Sequence, residues 1–296
     1  MSKIMKMLSV GLVLALSVGV LAGCSAKAET VEVDDTSEAK VESGIEGSLV
    51  VVGSTSVTPV AEELADSFME LNPQVTIDIQ GIGSSAGVKA AKDFTADIGM
   101  SSRNLKEEEK TWGLNEYVIA YDGIAVTVNP SNLVTDLTKE EISDIFSGKI
   151  SNWSEVGGID AEILVVSREA GSGTRGAFEE LMDLVEKNDA GKSVSTVKLD
   201  ALIAEGNGAV KANVASKENS IGYISLSYID ETVKAVSVND VDVSVENIIN
   251  GSYKVSRPFL MLSNSDENEL QKLFLEYILS DEGQEIIAEK LIPVNK

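Results

Sequence analysis

Leu49-Val50-Val51-Val52-Gly53-Ser54-Thr55-Ser56-Val57-Thr58-Pro59 passes from an apolar run through a glycine and hydroxyl-rich turn to a proline. Four consecutive aliphatic residues read as a buried strand, the polar stretch as a loop, and Pro59 as an occupant of the first turn of a helix. Val60, Leu64 and Phe68, with Ala61 and Ala65 beside them, then recur at helical spacing up to Leu71. The same order returns twice. Val75 to Ile79 reads as a strand ending in Gly81-Ile82-Gly83-Ser84-Ser85-Ala86-Gly87, with a helix from about Val88. Ala96 to Met100 reads as a third strand, ending in Ser101-Ser102-Arg103-Asn104. Repeated strand, polar loop and helix predict a mostly parallel sheet with helices on its faces. Ligands of such sheets gather at the carboxyl ends of the strands, so the three loops are expected to converge.

Further along, Ile119 to Val128 reads as a long strand leading into Asn129-Pro130-Ser131-Asn132, a boundary signal. A second lobe is expected from there. It holds a helix around Lys139 to Phe146, a strand at Ile163 to Val166, the loop Ser167 to Thr174, a helix from Arg175 and a strand at Ile221 to Ile224. Another boundary is expected near Arg257-Pro258. Helices with Leu273, Phe274, Tyr277 and Ile278 on one face then return to the first lobe.

The N-terminus reads as an address. Lys3 and Lys6 precede an apolar run from Leu8 to Leu21, which is shorter than a comfortable membrane span, and small residues precede Cys24. Residues 1–23 are therefore expected to be a signal peptide. Residues 24–45, rich in Glu, Asp, Ser, Thr and Lys, read as an acidic flexible tether. Leu21-Ala22-Gly23-Cys24 resembles the bacterial lipobox, which implies cleavage before Cys24 and diacylation of its thiol. Two acyl chains anchor stably where one does not. The other reading is a plain secretory signal with a chance cysteine.

Composition removes several function classes. Histidine is absent and Cys24 is the sole cysteine, so no disulfide forms within the chain and no metal site of the usual ligand sets is expected. A net charge of −24 argues against a nucleic-acid partner. It also means that any bound anion must be held by local donors, such as backbone N–H groups and a buried arginine.

Two motifs have enzymatic readings. Gly81-Ile82-Gly83-Ser84-Ser85-Ala86 fits a dinucleotide turn, with Asp97 at the place of a ribose partner, but a dinucleotide domain has no need of the neighbouring Ser/Thr loops. Gly83-Ser84-Ser85-Ala86-Gly87 fits a nucleophile elbow, which requires a histidine that the chain lacks. Gly171-Ser172-Gly173-Thr174 opening a helix, with Arg168 just upstream, offers hydroxyls, N–H groups and a guanidinium fork to a tetrahedral oxyanion. Alone it reads as a capping loop with a surface arginine. Beside three further Ser/Thr loops at strand ends, the oxyanion reading prevails.

The loops Gly53 to Ser56, Gly81 to Ser85, Asp97 to Ser102 and Arg168 to Thr174, with the segment Ile145 to Trp153, resemble the phosphate-binding proteins of Pst importers over nearly the whole mature chain. The resemblance implies a two-lobed periplasmic-binding-protein-like α/β fold of type II. In it, a mixed, mostly parallel sheet lies in each lobe, with a hinge between. Residues 46–127 and 259–296 are expected to form lobe 1, and residues 128–258 lobe 2.

The resemblance implies no enzyme and no cofactor. It implies an extracytoplasmic lipoprotein, anchored to the cell membrane through Cys24, that passes inorganic phosphate to the permease of an ABC importer. Thr55, Ser56, Ser84, Arg168, Ser172, Gly173 and Thr174 are the implied phosphate contacts, and Ser102 is expected to join them. Ser54, Ser85 and Asn207 are candidates for the rim or the supporting layer. The family carries an aspartate that accepts the ligand's proton where this chain has Ser102, and one that pairs with the binding arginine where this chain has Ala170. Asp122, which interrupts an apolar strand, is the candidate for a substitute acceptor oriented by Arg103, the other reading being an aspartate in a tight turn with Gly123. The alternatives are a receptor for another oxyanion such as sulfate, an extracytoplasmic phosphoester hydrolase, and a surface adhesin on the same scaffold.

Overall fold

A computed structural model describes residues 44–295. The expected signal segment, Cys24 and the tether up to residue 43 lie outside the described residues.

The opening repeat is realised as β1 (Gly47–Gly53), α1 (Thr58–Leu71), β2 (Val75–Gly81), α2 (Ser84–Lys92) and β3 (Ile98–Ser101). The long β4 (Asn115–Val128) follows. Then come α3 (Lys139–Ser147), β5 (Leu164–Arg168), α4 (Gly173–Leu181), β6 (Leu202–Ala204), α5 (Gly206–Ser216) and β7 (Ser220–Ser225). The chain returns through β8 (Ser256–Ser263), α6 (Glu269–Leu279) and α7 (Asp281–Ala288). The main strand order is β2-β1-β3-β8-β4-β7-β5-β6. β1 lies parallel to β2 and β3, and β5 parallel to β7 and β6, whereas β8 and β7 run antiparallel to β4. This is the expected two-lobed α/β architecture with mixed, mostly parallel pairing.

β4 has two sets of partners. Asn115 to Gly123 pairs with β8, and Ile124 to Val128 pairs with β7. The cores divide at the same place. One gathers residues from Leu49 to Ala120 with residues from Phe259 to Leu291, and the other gathers residues from Ile124 to Val255. In the first, α1 buries Val60, Ala61, Leu64, Ala65 and Phe68, the predicted helical stripe, and Phe68 meets Phe274 edge-on at 5.3 Å. In the second, Phe178 stacks on Tyr223 at 4.0 Å and Phe146 packs edge-on against Phe178 at 4.9 Å.

Three local expectations change. α2 starts at Ser84 and α4 at Gly173, because serine and glycine, read as loop formers, here occupy first helical turns. Arg257-Pro258 marks no break between elements but lies inside β8, where the chain passes from one core to the other, beside a register shift between Phe259 and Leu260 where a missing ladder donor is tolerated. On α6 the inward residues include Leu270, Phe274 and Ile278, while Leu273 faces out.

The depth of α2 depends on one residue. A Cβ on Gly87 would stand 2.6 Å from Val52 O and 2.7 Å from Met100 O, so only glycine lets the helix lie directly on β1 and β3. Gly87→Ala is expected to lower stability by about 1–3 kcal/mol, the usual range for overpacking. Equilibrium denaturation checks this, and an unchanged midpoint would contradict it.

Candidate anion-binding site

The polar loops meet at the carboxyl ends of the parallel strands. After β1, Ser54 Oγ accepts the N–H groups of Ser56 at 3.2 Å and Val57 at 3.4 Å, a tight turn that sets Thr55 and Ser56 at the head of α1. After β2 and β3, Ser84 Oγ accepts the Ser102 N–H at 3.1 Å and lies 3.3 Å from Ser102 Oγ. After β5, Ser172 N–H bonds Glu169 O at 3.0 Å, and Ser172 Oγ caps α4 by accepting Arg175 N–H at 3.1 Å. After β6, Gly206 and Asn207 open α5. The four helices α1, α2, α4 and α5 thus begin beside one another. Their first-turn N–H groups have no acceptor within their own helices, and their dipoles place partial positive charge there.

The loops of the two lobes touch directly. Ser56 Oγ lies 2.8 Å from Thr174 Oγ1 and accepts Asn207 Nδ2 at 2.9 Å. Arg168 Nη2 donates to Thr55 Oγ1 at 3.2 Å, Ser85 N–H to Gly171 O at 3.1 Å, and Tyr228 Oη to Thr55 O at 2.9 Å. Gly173 approaches so closely that a Cβ there would stand 2.2 Å from Ser84 Oγ and 2.6 Å from Ser102 Oγ. Ser56, Ser84, Ser102, Ser172, Thr174 and Asn207 are buried, and Arg168 is only 1% exposed. The structure therefore brings together all of Thr55, Ser56, Ser84, Ser102, Arg168, Ser172, Gly173 and Thr174. Ser54 and Asn207 stand directly behind Ser56.

Three arginines surround this cluster, each with a carboxylate. Arg168 holds Glu169 through Nε at 2.9 Å and Nη2 at 2.8 Å. Its backbone N–H donates to Tyr223 Oη at 3.2 Å, which ties the end of β5 to the second core. Arg103 holds Glu109 through Nη1 at 2.7 Å and Nη2 at 2.9 Å and donates to Ser85 Oγ at 3.3 Å. Arg257 donates to Asp122 Oδ2 from Nη2 at 2.9 Å and from Nε at 3.3 Å, while Ser225 Oγ donates to Asp122 Oδ1 at 2.9 Å. The expectation that Arg103 orients Asp122 is thus corrected. Arg103 is taken by Glu109, and the partner of Asp122 is Arg257, its register neighbour on β8. Glu169, next to Ala170, supplies the carboxylate that the resemblance places one residue later.

Burial pushes the Glu169 carboxyl up, but the hydrogen bonds and charge of Arg168, with backbone donors, outweigh it and hold the group below its ordinary range. Glu109 behaves alike, with Arg103 and the Lys106 N–H overcoming desolvation. At fully buried Asp122 desolvation wins and raises the carboxyl, against the pull of Arg257 and Ser225. Among the described residues, the buried side-chain atoms without a hydrogen-bond partner are Arg168 Nη1, Arg257 Nη1 and Thr127 Oγ1.

The depressed carboxyl of Glu109 carries a sign. Its contribution is complete above the ordinary value of 4.5 and is lost as pH falls through the lower folded value. Glu109→Ala, which strands buried Arg103, is expected to cost about 3–5 kcal/mol near neutral pH. The deficit should shrink on acidification. Thermal melts over pH check both points, and a deficit independent of pH would contradict the pairing.

Comparison with known proteins agrees with this geometry. The profile of the PBP superfamily domain matches residues 36–282. The phosphate-binding protein PstS of Bacillus subtilis (strain 168) is 31% identical over 94% of this chain and 90% of that protein. PstS of Borreliella burgdorferi is 30% identical over 80% of this chain and 86% of its own length. The crystal structure of a Clostridium perfringens protein with bound phosphate is 48% identical and superposes with a TM-score of 0.79, covering 84% of this chain and all of that one.

Proposed function

The chain belongs to the PBP superfamily and, within it, to the PstS phosphate-binding proteins, and from that premise we propose that it captures inorganic phosphate in the inter-lobe cleft and delivers it to an ABC importer. The observation that carries this reading is the state of Arg168. It is buried, one edge of its guanidinium is held by Glu169, and Nη1 on the other edge has no partner. A charged donor left so is costly to bury and is suited to an oxyanion.

The surrounding groups extend that donor into a cradle. Ser56 Oγ accepts from Asn207 Nδ2 and Arg257 Nη2, neither of which can accept in return, so its own proton is given outward. It reaches Thr174 Oγ1 here and would reach an anion oxygen in the complex. Gly173 and Thr174 add first-turn N–H groups, and the Thr55 and Ser84 hydroxyls complete the donors. Because each arginine is matched by a carboxylate, the site has little net charge of its own, and the ligand's charge is met by oriented dipoles in a low dielectric. Asp122, Glu109 and Glu169 all have both carboxylate oxygens engaged by donors. The ligand's proton is accordingly given to Ser102 Oγ.

The reading is of a transport receptor, not an enzyme. Residues 46–127 with 259–296 are read as one lobe and residues 128–258 as the other; the two cores support two such lobes, with the changeover on β4 between Ala120 and Ile124 and at β8 between Val255 and Phe259. Closure hides the anion and creates the surface that the permease reads. Cys24 anchors the mature chain to the outer side of the cell membrane, a reading that rests on Leu21-Ala22-Gly23-Cys24.

Titration calorimetry with phosphate, sulfate and arsenate tests the ligand. Phosphate is expected to bind tightest, and Arg168→Ala to lose about 2–5 kcal/mol, the range for truncating a buried hydrogen-bonded charge. Arg168→Lys should recover only part, lacking the fork. A phosphate Kd unaltered in Arg168→Ala would sink the assignment. Cys24→Ala is expected to abolish metabolic lipid labelling and release the protein or leave its precursor unprocessed. Labelling that survives would refute the anchor.

A further inference from the structure

Arg257 repeats the arrangement of Arg168. In each, Nε and Nη2 face a carboxylate, Nη2 also donates to a hydroxyl, and Nη1 has no partner. The hydroxyls belong to neighbouring residues of one loop, Thr55 for Arg168 and Ser56 for Arg257. A guanidinium is planar, so an Nε and Nη2 edge turned to a carboxylate leaves the Nη1 and Nη2 edge turned the other way. Two half-used forks therefore meet the loop at the head of α1 from different strands. Arg257 is 3% exposed, so solvent does not supply the missing partner.

We propose that Arg257 is a second guanidinium ligand of the anion, binding through Nη1 alongside Ser56, and that its pairing with Asp122 aims this fork. The proposal rests on the phosphate reading above and deepens it. Two forks on one loop fit a dianionic tetrahedral oxyanion, with a separate oxygen for each. A cross-strand pair that only fastened β4 to β8 would have no use for a charged donor left unsatisfied inside the protein. Asp122 and Arg257 also sit where β4 exchanges β8 for β7, and Ser225 at the end of β7 donates to the same carboxylate. The anion thereby touches the strand junction through one side chain.

The test compares wild type, Arg168→Ala, Arg257→Lys and the paired variant Arg257→Met/Asp122→Asn, using inorganic phosphate as the probe. Arg257→Lys keeps a cation for Asp122 and is expected to hold the ligand-free Tm near that of wild type. Its phosphate Kd should rise about tenfold to a hundredfold, the loss of one charge-assisted fork. The paired variant removes both charges together and should show a loss at least as large, which keeps the test valid where the lysine folds poorly. In wild type, the Arg257 guanidinium ¹⁵N resonance should shift on adding phosphate. If both Arg257 variants bind phosphate within about twofold of wild type while Arg168→Ala does not, Arg257 is no ligand and the proposal falls. If wild type itself fails to bind phosphate, the functional reading falls instead.

Discussion

A buried guanidinium with one edge committed and the other open is the constraint on which this site depends. Glu169 compensates the charge of Arg168, which is only 1% exposed, and Arg168 in turn holds the Glu169 carboxyl below its ordinary range. The pair cancels its own charge, so the cleft needs no excess of basic residues in a chain of net charge −24. Global repulsion of an anion is screened within roughly 8 Å at physiological ionic strength. Oriented donors at contact distance then decide the binding.

The sheet explains why those donors arrive together. Parallel strands deliver their loops to one edge, and four helices begin there. Close packing sets the distances. Gly87 lowers α2 onto β1 and β3, which fixes the height of Ser84, and Gly173 then fits against Ser84 and Ser102 from the other lobe. Tyr223 links the second core to Arg168, because its ring stacks on Phe178 while its hydroxyl receives the Arg168 N–H. Packing energy far from the cleft is thus spent on holding one arginine in place.

Much of this was legible in the sequence because it is local. Apolar runs ending in Ser/Gly turns identify β1, β2, β3 and β5, and the helical stripe of α1 is plain from Val60 to Phe68. The starts of α2 and α4 lie earlier than the sequence pattern indicates, since glycine and serine favour both loops and first turns. The arginine and carboxylate pairings were less legible. Asp122 and Arg257 lie 135 residues apart and meet only through the register of β4 with β8, so proximity in sequence suggested Arg103 instead. Pro258 further hides the strand β8, because proline reads as a strand breaker. Glu109 gave no local signal beyond its charge, because its role comes from the fold of the segment after β3.

The most direct measurement is a high-resolution crystal structure of the mature domain with phosphate. The account predicts one phosphate among Thr55, Ser56, Ser84 and Thr174, with an oxygen within hydrogen-bond distance of Arg168 Nη1. Phosphate seated elsewhere, or seated there with Arg168 Nη1 still without a partner, would contradict it.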